Sequence, residues 1–517
     1  MTGVGRGPGF GWISVCLLAG GLQALALAPQ PLWWLQLASL TMLFGAVRCA
    51  QPVAAAWYGG SFGFAWMSAS LWWLYTAMHR YGGLPAWLSV LSVLLLAAVL
   101  ALYLAGAMAA QARWRALHPL GSWAGFIAWW LLAELARGVW FTGFPWAASG
   151  YAQIDGPLQG LAAWVGVYGI GAAAAMLATA PWLLFEAVQA AAGQRQWLVL
   201  AAVLGLIGPL GLAHLLPQGF TQPTGTLRVS LLQGNVPQDE KFAQEHVGQS
   251  LEWHRQALLA AQGDLVLAPE TAIALLPEQL PEGWWRELVQ HFVQGHTYAL
   301  FGVPLGNYEA GYTNSVVGVT PAHDQLYRYD KAHLLPFGEF IPPGFHWFVA
   351  MMNMPLGDFN RGALNAPSFR VKAERVAPSI CYEDLFGEEL ALRFADEQSA
   401  PTLLANVSNL GWYDQSTAVP QHLQFSRMRA LEFQRPMIRA TNTGATVIID
   451  HHGRVTHALA PYTQGVLNGE VQGRTGLTPY ARWVPSCGLW PLWLMALGVA
   501  WWPVWRRFVP GRVRSEV

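Results

Sequence analysis

With 517 residues, 54% of them hydrophobic and only 11% charged, the chain falls far below the roughly 25% charge of soluble domains and reads as a membrane protein. Basic and acidic residues balance to a formal net charge of zero, with no charged tail beyond a few C-terminal arginines, which gives no support for nucleic-acid binding. The charges are unevenly placed: residues 1–225 hold ten of the 58, and most of the rest fall between 226 and 474, so two physically different parts are joined.

Apolar runs long enough to cross a bilayer, which needs roughly 20 residues, lie near 10–28, 31–48, 53–77, 84–111, 120–138, 161–188, 196–216 and 484–506. They predict seven transmembrane helices within 1–217, then a polar domain over 226–474, then a C-terminal helix and tail over 483–517. The fifth run is the weakest, because Glu134 and Arg137 sit within it or at its end. The sixth carries GVYGIGAAAA, which suits close helix packing rather than a nucleotide loop. The first run also reads as a signal peptide, since ALA at 24–26 and 26–28 resembles a cleavage site, although WWLQLASL resumes the membrane pattern at once. With eight spans, Arg6, Arg48, Arg113, Arg115, Arg195, Arg506, Arg507, Arg512 and Arg514 fall on one side and only Arg80 and Arg137 on the other. This bias predicts cytoplasmic termini and a polar domain on the far face.

Within the polar domain, strand character appears at 227–236, 264–271, 298–304, 315–321, 375–383, 402–409 and 446–450. Helical patterns fall near 243–262, 281–294, 386–396 and 417–434. Helices interleaved with buried strands predict an α/β layered domain of about 250 residues, large enough for a proper core. Of four cysteines, Cys16, Cys49 and Cys487 lie in apolar segments and only Cys381 in the polar part, so no disulfide framework is expected there. No metal-ligand spacing is present, and His451 and His452 in HHGR read as a turn between strands, so neither a metal nor another cofactor is expected.

Cys381 stands in APSICYEDLFG (377–387), at the end of an apolar run and directly before Tyr382, Glu383 and Asp384. A cysteine nucleophile needs a proton acceptor and donors for the oxyanion it creates, yet no Cys–His pairing is visible. The chain has only three lysines, Lys241, Lys331 and Lys372, and a compact ammonium does what a guanidinium cannot. Lys331 lies in YRYDKAHLLPFGEFIPP (327–343), eight residues before Glu339. Glu270 ends an apolar strand in LVLAPETA (265–272), and strand ends are where α/β sheets place ligands. Singly, each has an ordinary reading: a helix cap for the glutamate, a solvated loop for the lysine, core packing for the cysteine.

Together, PET around Glu270, DKAHLLPFGE around Lys331 and ICYED around Cys381, in that order with gaps of 61 and 50 residues, resemble the nitrilase superfamily. The surrounding apolar spans make nearly the whole chain similar to that superfamily's membrane-embedded branch, the apolipoprotein N-acyltransferase family. RALEFQRPMIRATNTG (429–444) and GDFNRG (357–362) extend the likeness, whereas Phe242 and Leu410 stand where the family often has tryptophan and aspartate. The resemblance implies an α-β-β-α sandwich on the periplasmic side of the bacterial inner membrane. It implies Glu270 as general base, Lys331 as oxyanion stabiliser and Cys381 as nucleophile, with Glu339, Tyr382 and Glu383 in support. The implied reaction is ping-pong. An sn-1 acyl chain passes from a phospholipid such as phosphatidylethanolamine to a Cys381 thioester, then to the α-amino group of a diacylglyceryl-cysteine apolipoprotein, on a monomeric enzyme without cofactor or nucleic acid.

The Tyr382 backbone N–H is the expected second oxyanion donor. Carboxylates beside a thiol raise its pKa, so Glu383 is expected to face Lys331 and Asp384 to cap a helix starting at Leu385. FHWFVAMMNMPLGDF (345–359) either dips toward lipid or packs in a core. The same residues admit three rival functions. A membrane-tethered amidase would pass the acyl group to water. A lipid- or lipoprotein-binding protein would have no use for an intact triad. A transporter would need more ionisable groups within its spans than Glu134.

Overall fold

The computed structural model describes residues 9–27, 30, 32–116, 118–241, 244–351 and 358–508. Phe242, Arg6, Arg512, Arg514 and the 352–357 part of the apolar stretch lie outside the described residues. The chain forms two compact units, one of Met1–Trp72, Leu91–Leu216 and Cys487–Val517, the other of Trp73–Val90 and Pro217–Ser486.

The first unit is helical. Helices Phe10–Leu25, Trp33–Val47, Pro52–Ser70, Ala86–Trp114, Pro119–Val139, Ala162–Thr179, Pro181–Gln189, Ala192–Leu215 and Trp490–Phe508 stand at the eight apolar runs, the sixth broken at Ala180. Among the described residues, three stretches are long and apolar enough to cross a membrane: Ala86–Trp114, Gln159–Gln189 and Ala192–Leu215. A fourth is available if the bent pair Pro479–Cys487 and Trp490–Trp502 counts as one. Small residues bring the helices close. A Cβ on Gly20 would strike the Phe62 carbonyl and stand 2.9 Å from the Ala65 Cβ, so only glycine permits this approach of Phe10–Leu25 to Pro52–Ser70. The charges of the fifth run are matched inside the unit. Arg137 pairs with Glu134 at 2.7 Å and donates to the Phe144 and Trp146 carbonyls, while Glu134 also accepts from the Ser149 N–H. Buried charges are tolerated only when every donor and acceptor is engaged in this way.

The second unit is built on strands β1 (Gln222–Gln233), β2 (Leu265–Leu267), β3 (Tyr298–Asn307), β4 (Gly311–Val319), β5 (Tyr327–Asp330), β6 (Phe369–Val371), β7 (Glu374–Ile380), β8 (Leu403–Ser408), β9 (Met437–Thr441), β10 (Val447–Ile449), β11 (Val455–Ala458) and β12 (Gly465–Thr475). They make two six-stranded sheets, ordered β12-β1-β2-β3-β4-β5 and β11-β10-β9-β8-β7-β6. In each sheet the central strands are parallel and the flanking ones antiparallel. Strand side chains alternate between faces, and the core follows that period. Leu265 and Leu267 point to the layer between the sheets, with Leu300, Val376, Leu403, Ala405 and Ile438, whereas Val266 points outward to helices Gln244–Ala260 and Trp284–Gln294. The outer face of the second sheet lies under helix Ala418–Phe433, where Phe433 stacks on Phe394 at 4.5 Å. The result is a four-layer α-β-β-α sandwich.

All seven expected strands are present. β5, β6, β9, β11 and β12 add to them, each too short or too interrupted by polar residues and glycine to read as a strand from its sequence. Beyond Cys381 the structure differs from expectation. A 3₁₀ turn spans Cys381–Leu385 and the helix Gly387–Ala391 follows with Phe386 at its N-cap position, so Asp384 caps nothing. Fully buried, it accepts hydrogen bonds from Ser379 Oγ at 2.9 Å and from Ser426 Oγ, and lies 3.6 Å from Arg439 Nη1.

Candidate active site

Each of the three residues singled out from the sequence sits just beyond a strand. Glu270 follows β2, in a turn whose Thr271 takes a φ of +47°. Gly302 on β3 makes room for that turn: a Cβ there would lie 2.7 Å from the Glu270 Cα and would overlap the Pro269 carbonyl. Lys331 follows β5, its backbone N–H held 2.8 Å from the Asn314 carbonyl of the neighbouring strand. Cys381 follows β7 with a φ of +52°, a left-handed conformation that costs a non-glycine residue on the order of 1–3 kcal/mol and recurs at functional sites.

Lys331 is 1% exposed, and its Nζ lies 2.9 and 2.8 Å from the two Glu339 oxygens and 3.5 Å from Glu270 Oε1. Asn314 Nδ2 donates at 2.7 Å to both carboxylates, so two acids share one ammonium and one amide. The other Glu270 oxygen accepts from the Asn409 N–H at 2.8 Å, and the Glu270 backbone carbonyl accepts from Lys241 Nζ at 3.1 Å. Glu339 Oε2 accepts from the Leu335 N–H at 2.8 Å. Burial pulls the Lys331 pKa down, but Glu339 first, then Glu270 and Cys381, outweigh it and hold the pKa above its ordinary value. The ammonium therefore persists throughout the physiological range.

The partly buried Cys381 thiol is pushed up by burial and then by Glu270, against the pull of Lys331. At neutral pH it therefore rests as a thiol. Its Sγ lies 4.0 Å from His422 Nε2.

Glu383 does not face Lys331 as expected. It accepts from the Tyr329 hydroxyl at 2.7 Å and from the N–H groups of Ile380, Ala332 and His333 at 2.6, 2.7 and 3.1 Å. It thereby ties the end of β7 to the chain on both sides of Lys331, whose charge acts on it from nearby. Burial raises its pKa against those donors. The buried Tyr382 ring packs 5.2 Å from Phe386 and 5.7 Å from His333. Leu410 is fully buried beside Asn409, whose side-chain amide donates to Gln238 at 2.8 Å.

Sequence reading missed Asn314, Asn409 and His422, and left Lys241 without a role. Asn314 had a signal, the polar run Thr313–Asn314–Ser315 inside an otherwise apolar strand. His422 had none, since its partners come from β7 and β9, far away in sequence.

Residues 19–180 match the family described as Apolipoprotein N-acyltransferase N-terminal domain, and residues 228–480 match Carbon-nitrogen hydrolase. An apolipoprotein N-acyltransferase from Verminephrobacter eiseniae is 51% identical over 514 residues, covering 93% of this chain and 94% of the relative. One from Ralstonia nicotianae is 46% identical over 488 residues, covering 93% and 91%. Among solved structures, the Caenorhabditis elegans NitFhit protein aligns with a TM-score of 0.37 at 18% identity, covering 50% of this chain and 63% of that one.

Proposed function

The chain belongs to the apolipoprotein N-acyltransferase family, and on that premise we propose that it moves an sn-1 acyl chain from a phospholipid, through a thioester on Cys381, to the α-amino group of a diacylglyceryl-cysteine apolipoprotein. The observation that carries this reading is the convergence of Glu270, Lys331 and Cys381 from the ends of strands in two sheets, with Glu339 of the loop after β5 paired to Lys331.

In the first half-reaction Glu270 takes the Cys381 proton while Sγ bonds to the ester carbonyl carbon. Lys331 Nζ and the Tyr382 N–H hold the oxyanion, each such donor contributing on the order of 3 kcal/mol to the transition state. The ester C–O bond breaks, and the lysophospholipid oxygen leaves with the proton from Glu270. In the second half-reaction the apolipoprotein amine attacks the thioester, Glu270 accepts its proton, the C–S bond breaks and the sulfur regains a proton. The kinetics are ping-pong. Two lipid-anchored substrates require the site at a bilayer surface. The eight-span frame, a periplasmic catalytic domain over 226–474, cytoplasmic termini and an inner-membrane location follow from the apolar runs and the arginine bias. One chain supplies every group named, which supports a monomeric enzyme, with phosphatidylethanolamine a suitable donor.

Intact-protein mass spectrometry after incubation with phosphatidylethanolamine tests the reading. The expected result is one acyl-sized mass gain, absent from Cys381→Ala, removed by neutral hydroxylamine and discharged onto a diacylglyceryl-cysteine peptide. Discharge to water with the peptide left unmodified would favour an amidase, and no adduct with no lysophospholipid would remove the acyltransferase reading.

A further inference from the structure

We propose that His422 donates a hydrogen bond from Nε2 to the Cys381 sulfur, stabilising the thiolate as it forms, and is not the base that takes the thiol proton. The proposal rests on Cys381 as the nucleophile but not on which acyl donor it uses.

The argument turns on the far side of the imidazole. Arg439 Nη1 lies 2.8 Å from His422 Nδ1. A guanidinium only donates, so Nδ1 must accept, and the one proton of the neutral ring must sit on Nε2. That nitrogen is the one 4.0 Å from Sγ, and the ring also meets the Cys381 backbone carbonyl, so the nascent thiolate competes with that oxygen for the N–H. In a cysteine or serine triad the group behind the histidine is a carboxylate, which accepts from Nδ1–H and leaves Nε2 free to accept a proton. Here a cation stands in that place, and the polarity of the relay is reversed. Arg439 is itself fixed from behind, donating to Ser426 Oγ at 2.6 Å and lying 3.6 Å from Asp384, whose other oxygen binds Ser379. His422 and Arg439 are both fully buried. Burial and then the Arg439 charge push the basicity of His422 well below the ordinary histidine value, consistent with a ring that stays neutral. The arrangement leaves proton removal to Glu270 and gives the sulfur a polarised N–H. A sulfur contact of 4.0 Å is long at rest and shortens when charge develops.

The test reads the sulfur directly. Cys381 is alkylated with iodoacetamide across a pH series in the full-length protein in detergent, and modification is quantified on the Cys381 peptide. The groups acting on this thiol besides His422 are Glu270, Glu339, Lys331, Lys241, Arg439 and Tyr413, all unchanged in the variants. His422→Phe removes the donor and is expected to move the alkylation midpoint upward by about one unit or more. His422→Gln offers an amide oxygen to Arg439 and an N–H to the sulfur, and is expected to recover most of the shift. Where the phenylalanine variant fails to fold, His422→Met carries the same test, because its thioether gives the sulfur no N–H and brings no charge. An unchanged or lowered midpoint, or a glutamine variant no better than phenylalanine, would overturn the assignment. No lipid enters this assay, so a normal acyl-enzyme with an unmoved profile rejects the role of His422 alone. Failure of acylation with the expected shift rejects only the phospholipid reading.

Discussion

Glu339 holds the Lys331 ammonium at 2.8 Å, while Glu270 stands off at 3.5 Å. This asymmetry matters because a carboxylate paired tightly with a lysine is a weak base. Glu339 satisfies the cation and leaves Glu270 outside the close ion pair. In Glu339→Gln the side chain keeps its shape, and its amide oxygen can still accept from Lys331, but the charge is gone and the ammonium turns to Glu270. Thioester formation, followed as the burst of lysophospholipid, is expected to fall about 10²-fold, with little change in thermal stability. A loss under threefold would mean that Glu339 is not what keeps the Lys331 ammonium from Glu270.

How far the site could be read in the sequence depended on whether a residue's partners were local. Glu270, Lys331 and Cys381 each end a stretch of strand, so an apolar or alternating run followed by an ionisable group marked them. β9 escaped notice because Arg439 sits in its middle and breaks the apolar pattern. That arginine is buried only because Asp384, Ser426 and His422 arrive from the turn after β7 and from helix Ala418–Phe433 to receive it. β12 escaped because Gly465, Gly469 and Gly473 alternate with polar residues along a sheet edge. In the helical unit every apolar run became helix, but Pro52–Ser70 and Pro119–Val139 are diluted by Gly, Ser, Trp and the Glu134–Arg137 pair. Only some runs therefore meet a strict length-and-hydropathy test.

Asp384 offers a choice between two magnitudes. As a helix N-cap its removal would cost about 1 kcal/mol. As the buried partner of Arg439 and two serines its removal strands a cation in the interior, which costs about 3–5 kcal/mol. Asp384→Ala is therefore expected to lower the unfolding free energy of the catalytic domain, from denaturant titration in detergent, by the larger amount. Asp384→Asn, which can still accept from the serines, should lose less. A cost near 1 kcal/mol for the alanine variant would return Asp384 to a minor local role.

Lys241 shows a site residue working against the stability of its own fold. Only 3% exposed, its ammonium donates to the Glu270 backbone carbonyl at 3.1 Å. Burial pulls its pKa from 10.5 down to about 8, against the charges of Glu270 and Cys381. Between those two values the unfolded chain binds more protons than the folded one, so wild-type stability rises with pH across that window, by on the order of 3 kcal/mol. Lys241→Met fills similar space without a charge. Compared pairwise by denaturant titration, wild type should gain on the methionine variant from pH 8 to pH 10.5 and show a constant difference between pH 6 and 7. Losing the tether should at the same time let the Glu270 turn drift and slow thioester formation by about 10²-fold at pH 7, since a displacement near 1 Å at the proposed base costs that much. A pH-independent stability difference would mean that the lysine keeps its ordinary pKa of 10.5 in the folded protein. Full activity in the methionine variant would mean that the Gly302 cradle and the Asn409 contact suffice to place Glu270.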